Sequence, residues 1–177
     1  MKNVILMAAI GTALCLGVRA SAQGNAMATL KDAQGNVVGT ATIQASPGGG
    51  LQINFNITKL PPGQHGVHIH NVAKCEAPDF ATAGPHFNPT NKKHGTQNPE
   101  GPHGGDIGGN LTVDADGTAK RVLTDPRLTL GPATDANSIW SGEGKSIVIH
   151  AAADDMKTDP SGNSGARIAC GVIEKAK

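Results

Sequence analysis

Tyrosine is absent from this 177-residue chain, tryptophan occurs once and phenylalanine three times. A core so poor in rings must be filled by Val, Ile, Leu and Ala, which bury less area per residue, so cross-links carry a larger share of the stability. Cysteine is scarce as well: there are three, and none sits in a C-x-x-C pair of the kind that holds a metal. Neither sign of charge dominates. With 15 basic and 14 acidic residues, nothing in the bulk charge attracts nucleic acid or an anionic membrane. The chain also lacks any long amphipathic stretch free of its 24 glycines and 11 prolines, which excludes an extended helix.

The single long apolar run, Val4 to Val18, follows Lys2 and precedes the small-residue site Ala20-Ser21-Ala22. It is too short to span a bilayer comfortably, so residues 1–22 read as a signal peptide. Cys15 hints at a lipid anchor, but bulky Leu14 before it argues against one. The expectation is one exported domain, residues 23–177, periplasmic or extracellular and free of the membrane after cleavage. Removing Lys2 and Arg19 leaves 13 basic against 14 acidic residues, a balance of −1. Cys75 and Cys170 then remain as an even pair in an oxidising compartment, where a disulfide is the default reading. Two thiolates on a metal are the weaker alternative. Closing a loop on the order of 100 residues is worth about 4–5 kcal/mol in the chain-entropy model.

Short strands with turn signals between them predict an all-β barrel or sandwich. Met27–Lys31 and Val37–Gln44 flank the turn Ala33-Gln34-Gly35-Asn36. Leu51, Ile53, Phe55 and Ile57 alternate with Gln52, Asn54 and Asn56, a half-buried strand of period two. Gly66–Asn71, Leu111–Asp114, Thr118–Leu123, Ile147–His150 and Ile168–Ile173 complete the set. Residues 72–109 are rich in Pro, Gly, Asn and His, show no strand pattern, and are too long for a passive connection. We expect that loop to be ordered by metal, with residues 151–167 as a second long loop.

Six of the seven histidines lie in three segments: Gly66-Val67-His68-Ile69-His70, a stretch from Gly84-Pro85-His86 through His94 and His103 to Asp106, and Ile147-Val148-Ile149-His150. His-x-His on a strand points two imidazoles the same way, suited to one metal. Taken singly, each piece has a bland reading: surface polarity for the pair, a hydrogen-bonded core residue for His150, loop chemistry for His103-Gly104-Gly105-Asp106. Their joint occurrence calls for a metal site.

Those segments, with Phe87-Asn88-Pro89, Lys93-His94-Gly95 and Gly165-Ala166-Arg167-Ile168-Ala169-Cys170-Gly171, together resemble the copper/zinc superoxide dismutases, in order and over nearly all of residues 23–177. That family is itself a named example of the sandwich architecture. The resemblance implies an eight-stranded Greek-key barrel of immunoglobulin-like architecture with two long functional loops. It implies copper on His68, His70, His86 and His150, and zinc on His86, His94, His103 and Asp106, with His86 shared as a bridge. It further implies an enzyme that converts superoxide anion to dioxygen and hydrogen peroxide, with His86 releasing copper and carrying a proton.

Arg167 matches the family's active-site arginine, an anion-binding fork beside copper. Asp154 matches the aspartate that bridges a copper-site histidine (His70 or His68) and His94, with Asp155 as its competitor. Cys75 and Cys170 match the family disulfide. His65 resembles a structural histidine bonded to backbone and takes no metal. The acidic guide residues of the second loop have no clear counterparts, Lys157 and Asp159 being the nearest charges. That puts steering by this loop in doubt; a homodimer and its mode stay open.

Asp114-Ala115-Asp116-Gly117 fails the spacing of a calcium loop and reads as a turn. The sequons at Asn56 and Asn110 lie in strand-like segments. Among rival functions, an extracytoplasmic copper/zinc carrier or buffer needs neither Arg167 nor a bridging histidine. A zinc hydrolase would need an H-E-x-x-H or similar, and none occurs. A purely structural sandwich leaves the histidines unexplained.

Overall fold

A computed structural model describes residues 25–176. The signal-peptide reading and Cys15 lie outside the described residues. Among the described residues the regular structure is nine strands and one 3-10 turn; the strands are β1 Ala26–Asp32, β2 Val37–Ala45, β3 Leu51–Ile57, β4 Gly63–His70, β5 Asn110–Val113, β6 Ala119–Asp125, β7 Ser146–His150, β8 Arg167–Val172 and the two-residue β9 Glu174–Lys175. Hydrogen-bonded neighbours run β5-β4-β7-β8-β1-β2-β3-β6, and β9 adds to β1. All ladders are antiparallel. The end strands β5 and β6 approach one another, so the sheet curls into a nearly closed eight-strand barrel. The chain crosses from one half to the other between β3 and β4 and again between β6 and β7, the long connections of a Greek key.

Alternation decides which face each residue takes. Ile43, Ile53 and Leu123 stand side by side across β2, β3 and β6, all buried, while Gln52 and Asn54 point outward. On β4, Val67 and Ile69 pair with Ile149 and Ile147 of β7 and join the barrel core. The opposite face of the same strands carries His68, His70, Val148 and His150, and these are buried too. An outward face of a barrel is buried only under a roof, and the two long loops supply it. Phe80 and Ala83, on and beside a single 3-10 turn at Ala81–Ala83, pack on Val148 and Cys170 as a second apolar cluster outside the barrel.

The first loop, expected to rely on metal for its order, has tethers of its own. Cys75 and Cys170 are disulfide-bonded, which ties it to β8. Phe87 N–H donates to the Ile69 carbonyl, Ile69 N–H to Gly105 and Gly105 N–H to Phe87, so two loop segments extend the barrel wall. Gly105 is required there: a Cβ would lie 2.1 Å from the Ile69 carbonyl oxygen. Asp114–Gly117 forms a turn between β5 and β6, closed by Asp114 N–H donating to Thr118. Among the described residues no helix is long and apolar enough to cross a membrane.

Candidate metal centre

β4 and β7 are paired at Val67–Ile149 and His68–Val148, which brings His68 and His70 beside His150 at the strand end. His86 arrives from the first loop through an isolated bridge to His70. The rings of His68 and His86 are 4.1 Å apart, those of His70 and His86 4.8 Å, and those of His70 and His150 5.8 Å. Donor atoms of His68, His70, His86 and His150 all lie within 4.8 Å of one another.

Each of these rings has one nitrogen engaged by protein. His68 Nε2 meets Asp154, His70 Nδ1 meets the Gly84 carbonyl at 2.8 Å, His150 Nδ1 meets the Gly165 carbonyl at 3.1 Å, and His86 Nδ1 meets Asp106. The other nitrogens, His68 Nδ1 and Nε2 of His70, His86 and His150, are buried with no hydrogen-bond partner. Buried polar atoms are nearly always paired, so orphaned lone pairs aimed at one point fit a metal with imidazole ligands. Burial pulls His86 down to about 4 and His150 to about 3, and burial with neighbouring His86 holds His70 well below its ordinary value. All three are therefore neutral near pH 7, as a ligand must be.

A second group adjoins the first through His86. Its Nδ1 lies 2.9 Å from Asp106 Oδ1 and 3.4 Å from His103 Nδ1. Asp106 Oδ1 is also 3.1 Å from His94 Nδ1 and 3.4 Å from His103 Nδ1. Tetrahedral zinc with bonds of about 2.0–2.1 Å spaces its ligand atoms roughly 3.3 Å apart, so three imidazoles and one carboxylate at these separations suit it. The ligand atoms of His68, His86, His94 and Asp106 all lie within 4.8 Å of one another. His103 Nδ1 lies 3.4 Å from both His86 Nδ1 and Asp106 Oδ1, so it too stands beside this group. Burial works to raise Asp106, but hydrogen bonds from His103, His86 and His94 outweigh it and keep it ionised far below the carboxylate range. Burial likewise opposes the charge of His94, while Asp106 and Asp154 lift it to about 9.

The competition between Asp154 and Asp155 is decided by contacts. Asp154 is buried and reaches His68 Nε2 at 2.7 Å and His94 Nε2 at 3.0 Å, so it is His68 and not His70 that it joins to His94. Asp155 turns to its own loop, binding Thr158 and Asn163. Arg167 is held by its Nη1 on the Phe80 carbonyl and its Nη2 on that of Gly84. It lines an open cavity of about 820 Å³ together with His70, His86, His150, Lys92 and Lys93. His65 Nδ1 and Nε2 each lie 2.8 Å from a carbonyl, those of His150 and Pro61, so it belongs to the backbone.

This arrangement has counterparts. A family model for copper/zinc superoxide dismutase matches residues 37–173. The chain belongs to the copper/zinc superoxide dismutase family. It is 40% identical over 164 residues to superoxide dismutase [Cu-Zn] 2 of Aquifex aeolicus, covering 92% of this chain and 94% of that protein. The crystal structure of a superoxide dismutase-like protein from Bacillus subtilis matches with TM-score 0.77 at 40% identity, over 82% of this chain and 96% of that one. The Cu/Zn superoxide dismutase from Brucella abortus matches with TM-score 0.66 at 33% identity, over 85% and 99%. Copper and zinc are the family's metals, and the His/Asp groups here are positioned to bind metal ions.

The sequence reading gave no contact to several residues around the groups. Asn110, taken only as part of a sequon, clamps the backbone of Asp154: its Nδ2 donates to the Asp154 carbonyl at 3.0 Å and its Oδ1 accepts the Asp154 N–H at 2.8 Å. Lys92 and Lys93 reach the cavity wall from the first loop, while Asp159 of the second loop sits 3.6 Å from Lys93. Buried Lys145 places its Nζ 4.3 Å from the ring centre of Phe87, next to His86. Arg127 grips the carbonyls of His103 and Asp106. Lys93 alone stands in a family motif, Lys93-His94-Gly95; each of the residues acts across a fold-made contact.

Proposed function

We propose that this protein dismutates superoxide outside the cytoplasm, with copper on His68, His70, His86 and His150 and zinc on His86, His94, His103 and Asp106. The observation that carries the reading is the single imidazole of His86 placed between two groups, its Nε2 orphaned beside one and its Nδ1 2.9 Å from Asp106 Oδ1 and 3.4 Å from His103 Nδ1 of the other. Copper bound there would supply a one-electron couple that accepts an electron from one superoxide and gives it to the next, and zinc would supply a fixed dication.

The chain's own residues do the rest. His86 would hold both ions, and its Nε2 is the atom that would carry one proton to the peroxide, solvent supplying the second. Arg167 uses two guanidinium N–H groups on the Phe80 and Gly84 carbonyls, which leaves its remaining N–H groups and its charge to hold a small anion at the cavity wall. Lys92 and Lys93 add positive charge at the rim, taking the steering role for which the second loop has no acidic guides. Asp154 fixes the tautomers of His68 and His94 by accepting from both Nε2 atoms. Cleavage after residue 22 and export to the periplasm or beyond complete the reading, consistent with the disulfide.

A metal carrier or buffer needs neither a shared imidazole nor a fixed guanidinium beside it. The test is to purify the mature protein, count copper and zinc by elemental analysis, and assay superoxide consumption. One copper and one zinc per chain with rapid consumption is the expected result. Full metal loading without consumption would leave the carrier reading standing in its place.

A further inference from the structure

At the end of β6 an ion pair that belongs to neither metal group reaches into the second one. We propose that Arg127 is a positioning residue that sets the zinc affinity of the His86, His94, His103 and Asp106 group by fixing the His103–Asp106 turn; this rests on the zinc reading above.

The guanidinium is anchored from behind. Asp125 is 1% exposed and pairs with Leu51 across the β3–β6 ladder. Its Oδ1 accepts the Arg127 backbone N–H at 2.8 Å and Nε at 2.9 Å, and its Oδ2 accepts Nη2. The front edge then faces the turn. Nη1 donates to the His103 carbonyl at 2.7 Å and Nη2 to the Asp106 carbonyl at 2.7 Å. These two carbonyls flank Gly104-Gly105, a dipeptide with no side chains to stiffen it and with more backbone freedom to lose than any other pair.

Two zinc donors therefore hang on a turn that is soft by composition and held by a fork fixed to a barrel strand. His103 Nδ1 and Asp106 Oδ1 stand 3.4 Å apart on this turn, whose middle is bonded to Phe87 and Ile69 through Gly105 and whose two outer carbonyls are pinned by Arg127. A lysine cannot replace it, because a point ammonium does not span two carbonyls and a carboxylate at once. The charge of Arg127 is balanced by Asp125, so its effect on a dication is geometric and not one of simple repulsion. Ordering the turn beforehand removes a cost that zinc would otherwise bear on binding.

The experiment compares Arg127→Lys and Arg127→Met with the wild-type mature protein. Zinc affinity is read by chelator competition, copper affinity likewise, and the zinc group is probed with cobalt(II), whose visible spectrum reports coordination geometry. Both variants should lose zinc affinity by about 10–100-fold and alter the cobalt spectrum, with copper affinity unchanged. Wild-type zinc affinity in both variants overturns the inference. So does a parallel loss of zinc and copper affinity that tracks a lowered melting temperature of the metal-free protein, since that reports general loosening. Asp106→Asn separates the underlying reading: it should lose zinc, and if it keeps wild-type affinity it is the zinc assignment that fails. Arg127→Lys keeps the buried charge balanced and serves if Arg127→Met does not fold.

Discussion

Asp154 and His68, 86 residues apart in sequence, meet at 2.7 Å between Oδ2 and Nε2. The other carboxylate oxygen lies 3.0 Å from His94 Nε2, so the two metal groups are joined twice: directly by His86 and at one remove by Asp154. Gly162 makes room for that link. Its φ is +62°, and a Cβ there would fall 1.8 Å from Asp154 Oδ1 and 2.8 Å from His94 Nε2. Gly162→Ala should push the carboxylate off His94 and weaken zinc binding by about 10–100-fold in chelator competition. Unaltered zinc affinity would show that the Asp154 link is dispensable.

His70 belongs to the first group alone: its Nε2 is orphaned and its Nδ1 is engaged by Gly84. His70→Ala should abolish superoxide consumption and bound copper while zinc stays, as counted by elemental analysis. Retained activity would contradict the copper assignment.

Replacing Arg167 with isoleucine removes a cation that lines the cavity with His70, His86 and His150 while leaving every proposed ligand in place. The rate of superoxide consumption should fall by about tenfold or more, and its decline with rising salt should flatten, since screening would have less charge to act on. Stopped-flow rates across ionic strength decide this; an unchanged slope takes Arg167 out of the site.

The Cys75–Cys170 disulfide closes a separation of 95 residues. Its reduction should cost about 4–5 kcal/mol and lower the melting temperature by about 10–15 °C. It should also loosen the loop whose Phe80 and Gly84 carbonyls hold Arg167, so activity should drop even below the new melting point. Calorimetry and assay of reduced, alkylated protein check both.

Acid should destabilise the metal-free protein early. His86 and His150 are depressed to about 4 and about 3, and His70 also lies well below 6.5. The unfolded chain therefore takes up protons first as pH falls, and stability drops between about 6.5 and 3. His94, raised to about 9, acts oppositely: its contribution is complete below 6.5 and fades as pH rises through 9. Denaturation midpoints measured from pH 8 to 3 should decline through the acid range. A flat profile would mean that these imidazoles are not buried as described.

Which features were legible in advance follows from their range along the chain. Alternation at Leu51–Ile57, the His-x-His of β4 and the turn at Asp114–Gly117 are local patterns, and all appear where expected. β4 begins three residues earlier than its pattern, at Gly63, because Gly63–Gly66 pair with β5, a partner no local signal names. Burial of His68 and His70 was equally invisible, since it depends on two loops folding back over the outer wall of the barrel.

By itself, then, the sequence determined the strand periodicity, the donor types and the order of the motifs that mark the family, because side-chain chemistry and period-two patterning are written residue by residue. Tertiary structure alone decided that Asp154 reaches His68, that Asn110 holds Asp154, that Lys92 and Lys93 line the cavity, and that Arg127 braces the His103–Asp106 turn. Those are contacts between residues far apart in the chain. Their geometry is set by barrel closure and loop packing, in which no single segment carries the information.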